Sequence, residues 1–189
     1  MTMVKVTTDQ KLTLAEFLKL SNQDVNYEFV DDYAVPKVSP KFYHSSLQLT
    51  LGLLIRQWCK GKGRVLPEWA IILRRKGKDW CPVPDLTYIS YQRLPKTWQY
   101  NQACPVSPEL VIEIISPGQT MEEFINKSKD YFAAGVARVW IIDPEAISIR
   151  VFLSAIKSRV YTNEMLIIDD LLPGFELTVK QLFTEAELI

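Results

Sequence analysis

Three residues break the pattern of the segments that carry them, and together they suit metal-assisted chemistry. Glu113 interrupts the apolar run Leu110-Val111-Ile112-Glu113-Ile114-Ile115. Runs of this kind are usually covered on both faces. A lone carboxylate there costs stability or takes up a proton. It either snorkels to water from a sheet edge or serves as a metal ligand or general acid–base group. Lys127 lies on a stretch whose inward stripe is Phe124, Ser128, Tyr131 and Phe132. It stands three residues after Phe124 and four before Tyr131, within that stripe. It either snorkels along the helix flank or meets the Glu113 carboxylate. Asp85 follows Pro84 at the mouth of a strand-like run, Leu86 to Ile89. Alone, an Asp after Pro is most simply a turn residue; it gains weight only beside the other two.

Two carboxylates and a lysine suit a hard divalent cation. Mg²⁺ takes oxygen ligands, keeps several waters and binds through one or two carboxylates plus substrate phosphates. Such an ion acidifies water and polarises a phosphoryl oxygen. The lysine is then placed to orient or deprotonate an attacking water and to offset developing negative charge.

The elements that would position these groups follow from pattern. Thr13 and Glu16 fit a capping box ahead of Leu14, Phe17 and Leu18. Tyr27–Val30 and Tyr33–Val35 read as a hairpin about Asp31-Asp32. Lys41 to Cys59 has helical spacing and stops at Gly61-Lys62-Gly63. Arg64–Leu66, Trp69–Leu73 and Leu86–Ile89 read as strands, and 91–108 as a loop. Glu109–Ile115 reads as a buried strand. Met121–Ala134 reads as a helix with a second capping box, Thr120 and Glu123. Arg138–Asp143 and Ile147–Leu153 form an expected antiparallel pair, followed by a strand near Arg159–Thr162 and a helix near Val179–Leu188. Helices and strands alternate only in part, so the expectation is one α/β (α+β) domain over residues 1–189, a mixed central sheet flanked by helices.

Composition narrows the chemistry. Among 189 residues, 22 Lys and Arg balance 22 Asp and Glu, which argues against a purely electrostatic nucleic-acid binder. A single histidine, His44, removes every motif that needs two. Three cysteines, with no C-x-x-C, suit neither a disulfide framework nor a four-cysteine zinc site. Free thiols, no apolar leader in Met1–Gln10 and no membrane-length apolar run give the expectation of a cytoplasmic protein without a membrane partner. His44, Ser45 and Asp85 do not make a hydrolase triad, because no G-x-S-x-G elbow is present. His44 is expected near the site entrance or capping its helix.

Pro84-Asp85, Glu113-Ile114-Ile115-Ser116-Pro117, Lys127-x-x-x-Tyr131-x-x-x-Gly135-Val136 and Val139-Trp140-Ile141-Ile142-Asp143-Pro144 resemble the ordered motifs of the Uma-type family of restriction-endonuclease-like proteins. That family belongs to the PD-(D/E)xK nuclease superfamily. Tyr27-Glu28 and Leu172-Pro173-Gly174 match as well, so the resemblance runs from about Leu12 to Phe183. It implies a mixed sheet with helices on both sides and a Mg²⁺ (or Mn²⁺) phosphodiesterase site. Asp85 and Glu113 would be the ligands, the Ile114 carbonyl would complete the shell, and Lys127 would be the catalytic lysine. The usual lysine position, two after the acid, is Ile115 here. Glu28 matches an acidic position near the metals in similar proteins; its plain alternative is an exposed hairpin Glu. Asp32 replaces a common Gly, Arg138 replaces a common acid, and Val139 replaces a Tyr. These departures bear on strand pairing or dimer contacts rather than on the metal triad.

A nuclease must also hold a backbone. Arg74, Arg75, Lys76 and Lys78 form a basic run, expected either to contact phosphates or to be a solvated loop. Lys60, Lys62 and Arg64 form another, and Trp98 and Tyr100 would stack on bases or cover the core. The expectation is a Mg²⁺-dependent endonuclease on nucleic acid, DNA first, working as a homodimer because duplex cutting needs two sites. The alternative is a weak or silent nuclease fold that binds nucleic acid or protein. A phosphohydrolase on a small substrate is the third reading.

Overall fold

The computed structural model describes residues 10–20 and 26–189. The leader reading of Met1–Gln10 therefore falls almost wholly outside the described residues. The Thr13–Glu16 box closes a single helical turn, α1 (Leu14–Phe17). The predicted hairpin forms as β1 (Tyr27–Val30) and β2 (Tyr33–Pro36). Its turn residues Asp31 and Asp32 both have positive φ, 52° and 74°, the mirror-image turn that matches strand twist. Next come α2 (Phe42–Trp58), β3 (Gly63–Pro67), β4 (Leu73–Arg75), β5 (Lys78–Trp80) and β6 (Leu86–Ser90). The chain ends with β7 (Leu110–Ile114), α3 (Met121–Ala133), β8 (Arg138–Asp143), β9 (Ser148–Ser154), β10 (Lys157–Thr162) and α4 (Val179–Glu185).

Six strands make the central sheet, in the order β10-β9-β8-β7-β6-β3. Only β7 and β8 are parallel; the other pairs are antiparallel. The parallel pair needs a crossover, and α3, capped at Thr120 as its sequence predicts, supplies it. The sheet is covered on both faces. Leu47, Leu51 and Ile55 of α2 and Val179, Leu182 and Phe183 of α4 share one core with Leu110, Ile112, Ile114, Trp140 and Ile142. Phe124 and Tyr131 of α3 pack with Val111, Val139, Ile141 and Trp80 in the other. The two-residue period of β7 puts Glu113 on the face of Val111, under α3.

One strand reading fails. Trp69–Leu73 does not join the sheet; it makes a single bridge, Ile71 to Cys104. Ile72 donates its N–H to the Cys104 carbonyl, and Cys104 donates to Ala70, each at 2.8 Å. A turn at Glu68, φ 48°, redirects the chain after β3, and regular pairing resumes only in the β4–β5 hairpin. The departures at 138 and 139 leave strand pairing intact, since β8 pairs along both neighbours. Arg138 instead pairs at 2.8 Å with the buried Asp169, which also accepts from the Trp140 indole.

Gly63 shows how closely β3 and β6 approach. A Cβ there would lie 2.4 Å from the Ile89 carbonyl oxygen and 2.7 Å from the Tyr88 ring. Backbone cannot step aside as a side-chain tip can. Gly63→Ala is expected to cost roughly 2–3 kcal/mol, as overpacking does. The corresponding fall in Tm is roughly 5–10 °C, read by thermal denaturation; an unchanged Tm would show that the β3–β6 contact yields.

Candidate active site

The β6–β7 register, Leu86 opposite Ile112, brings the mouth of β6 to the end of β7. Asp85 therefore lies against Ile114, whose backbone N–H donates to Asp85 Oδ2 at 2.7 Å. His44 Nε2 stands 3.1 Å from the same oxygen. It sits at the first inward position of α2, one turn before Leu47. Lys37, just beyond β2, reaches Asp85 Oδ1 at 3.1 Å. Burial alone would raise the Asp85 pKa. The His44 hydrogen bond and the Lys37 charge outweigh it and take the carboxyl down to about 2.

Glu113 is buried beneath α3. The Tyr131 hydroxyl donates to its Oε1 at 2.6 Å, and Lys127 Nζ stands 3.0 Å from the same oxygen. Lys127 also donates to both oxygens of Glu28, at 2.9 and 3.1 Å. Glu28 in turn accepts from the Val83 N–H at 3.0 Å. The Val83 carbonyl accepts from Lys37 at 2.7 Å, so one peptide residue links the two halves of the cluster. Burial pushes the Glu113 carboxyl up to about 7. Lys127 opposes that shift, while Asp85 and Glu28 add to it. Burial would lower the Lys127 pKa, but Glu113 and Glu28 more than reverse this, and it lies above its ordinary value.

Lys37 and Glu68 enter the site without a sequence forecast. Lys37 donates to Glu68 Oε2 at 2.7 Å, and Gln48 holds Oε1 at 3.0 Å. Four carboxylates (Glu28, Glu68, Asp85 and Glu113) thus face two ammonium groups. The donors are all oxygen, which fits a hard divalent cation. Among the described residues, no three His, Cys, Asp or Glu side chains converge as a complete metal shell. Lysines stand among these acids: Lys37 between Glu68 and Asp85, and Lys127 between Glu28 and Glu113. The three cysteines are buried in three different clusters, so no cysteine–histidine zinc site forms.

Thus Asp85, Glu113, Ile114, Lys127 and Glu28 come together. His44, read as a residue of the entrance or a helix cap, is bonded directly to Asp85. Its position on the apolar face of α2 was the available signal. Lys37 and Glu68 carried none, since turn and loop residues follow no period. The basic run lies apart from the acidic cluster. Arg75 pairs with Asp31 and, at 3.4 Å, with Asp130; Lys78 pairs with Asp32 at 3.0 Å. Arg74 donates to the Gly77 carbonyl, and Lys76 is exposed at the turn. The pairs with Asp31 and Asp32 latch β4–β5 onto the turn of the hairpin whose strand β1 carries Glu28. In the other run, Lys62 lies over the Trp58 ring, and Arg64 donates to the Pro95 and Trp98 carbonyls. Trp98 stacks between Trp69 and Tyr100, leaving Tyr100 exposed. A cavity of about 400 Å³ opens beside His44, at the carboxyl ends of β7 and β8, with Tyr43, Ser116, Gln119 and Lys41 in its wall. No helix among the described residues is long and apolar enough to cross a membrane.

A family model described as "Uma2: Putative restriction endonuclease" matches residues 14–180. The crystal structure of "a putative nuclease belonging to DUF820 from Anabaena variabilis ATCC 29413" is similar in fold. It is 24% identical, aligns over 93% of this chain and 99% of that one, and has a TM-score of 0.80. No curated protein matches the chain.

The two shifted carboxyls act oppositely on metal-free stability. Glu113 rises from 4.5 to about 7 on folding, so its contribution is complete below about pH 4.5 and is lost as pH climbs toward 7. Asp85 falls from 3.8 to about 2, so its contribution holds above about pH 4 and fades toward pH 2. In chelator-treated buffer, wild type should lose on the order of 3 kcal/mol more than Glu113→Gln between pH 5 and 7.5. Parallel melting curves for the two proteins over that range would refute a buried, proton-binding Glu113.

Proposed function

The chain belongs to this restriction-endonuclease family, and from that membership we propose that it is a Mg²⁺- or Mn²⁺-dependent endonuclease acting on nucleic acid, with DNA as the substrate class. Family and fold support a nuclease-like hydrolase. The observation that carries the finer reading is the convergence of Asp85, Glu113, Glu28 and Lys127 at the end of β7, with the Ile114 N–H and the Tyr131 hydroxyl fixing the two acids.

In this reading Asp85 and Glu113 hold the ion, with the Ile114 carbonyl beside them. A hard divalent cation supplies positive charge to the scissile phosphoryl group and acidifies water. His44 and the Ile114 N–H keep the Asp85 carboxylate turned, and Tyr131 does the same for Glu113. Lys127 remains an ammonium, because two carboxylates outweigh its burial. It therefore donates to a phosphate oxygen or to the attacking water and offsets developing charge, rather than removing a proton. Glu28 orients that ammonium from the far side through both oxygens. The cavity borders the cluster through His44, which also touches Asp85, and its wall carries Lys41 together with Asp143 and Glu145. Cutting both strands of a duplex requires two such sites, which makes a homodimer the working assembly. The buried free thiols suit a reducing compartment such as the cytoplasm.

The test is nicking of supercoiled plasmid with either ion. Wild type should cleave, and Asp85→Ala and Lys127→Ala should each slow cleavage by at least about 10²-fold, the loss typical of a charge-stabilising group. Pure wild type that cleaves with neither Mg²⁺ nor Mn²⁺ would leave the fold as a binding module.

A further inference from the structure

We propose that Lys37 is an internal cation that a divalent ion must displace from Asp85, and that it thereby sets the metal affinity of the site. The proposal rests on the reading of Asp85 as a metal ligand. Its basis is the occupancy of the Asp85 oxygens. Oδ2 already faces two donors, the Ile114 N–H at 2.7 Å and His44 Nε2 at 3.1 Å. Oδ1 is the oxygen left for an ion, and the Lys37 ammonium stands on it at 3.1 Å. Two cations sharing one buried carboxylate oxygen repel strongly, because little water screens them.

The ammonium has a fallback. Lys37 also donates to Glu68 Oε2 and to the Val83 carbonyl, both at 2.7 Å. These contacts are shorter than the one to Asp85. Glu68 is itself held by Gln48, whose amide also donates to the Asp85 backbone carbonyl at 2.8 Å. Lys37 therefore releases one oxygen of three and stays paired. Before the ion arrives, Lys37 keeps the acids from repelling one another. Its side chain is 17% exposed, so the ammonium can recoil toward solvent without unfolding its surroundings.

Titration of Mn²⁺ and Mg²⁺ into the purified full chain by calorimetry tests this. Lys37→Met, of similar length and neutral, should bind at least about tenfold tighter than wild type. Lys37→Arg, which keeps the charge, should bind within about threefold of wild type. Glu68→Gln removes the fallback and should bind more weakly. In the double variant Lys37→Met/Glu68→Gln, that weakening should vanish, a non-additivity that simple through-space attraction does not produce. A Lys37 that merely props the hairpin would lower Tm without tightening the metal. Lys37→Met that binds no tighter than wild type overturns the proposal and leaves the metal site standing. If neither wild type nor Lys37→Met takes up either ion, the metal reading itself fails and carries this inference with it. If Lys37→Met does not fold, Glu68→Gln decides: unchanged affinity there overturns the proposal.

Discussion

Carboxylates gathered in one poorly hydrated place repel each other, and they stay together only if cations stand among them. That constraint organises the centre of this molecule. Glu113 lies on the buried strand β7, where its charge would be intolerable alone. Lys127 and the Tyr131 hydroxyl reach it from α3. Lys127 in turn needs Glu28 to hold its own buried charge. Asp85 draws Lys37, and Lys37 draws Glu68. Each ion makes the next one necessary.

The architecture serves that arrangement. The β7–α3–β8 crossover folds α3 back over the strand it follows, so Lys127 covers Glu113 from only fourteen positions away. The antiparallel β6–β7 pair delivers Asp85 to the same strand end. Glu28 comes from a small hairpin outside the main sheet. That hairpin bonds edge-on to Cys81 through Phe29, and Asp31 and Asp32 pair with Arg75 and Lys78. Arg75 and Lys78, two residues of a run that looks phosphate-binding, thus hold the hairpin of Glu28 in place. Asp32, which stands where a glycine is common, accepts a positive φ and gains Lys78 as a partner.

Legibility in the sequence followed one rule: a residue stood out when it violated the pattern of its own segment. Glu113 did so in an apolar strand, Lys127 in an inward helical stripe, and Asp85 at a proline-marked strand mouth. The capping boxes at Thr13 and Thr120 were equally local and both form. His44 half qualified, since it occupies the inward face of α2 where an apolar residue would fit. Lys37 and Glu68 violated nothing. Lys37 follows a strand end and Glu68 sits in a turn, and the two carboxylates that Lys37 meets, Glu68 and Asp85, lie 31 and 48 positions further along the chain. The strand expected at Trp69–Leu73 failed for a related reason. Its residues favour extended backbone, but the turn at Glu68 carries them away from the sheet, to isolated bonds with Pro82 and Cys104 and, at Leu73, the β4–β5 hairpin.

The amino-acid order on its own indicated most of the elements, the two-sided burial of β7, and Asp85, Glu113 and Lys127 as residues out of keeping with their segments. It could do so because hydrophobic period, capping and the cost of burying a charge act over a few residues. The tertiary structure decided which charges face each other: that Lys37 sits on Asp85, that Glu28 steadies Lys127, that the Arg75 and Lys78 charges are spent on aspartates. Ion pairing depends on separation in space, and separation in space between distant residues is set only when the sheet register and the hairpin packing close.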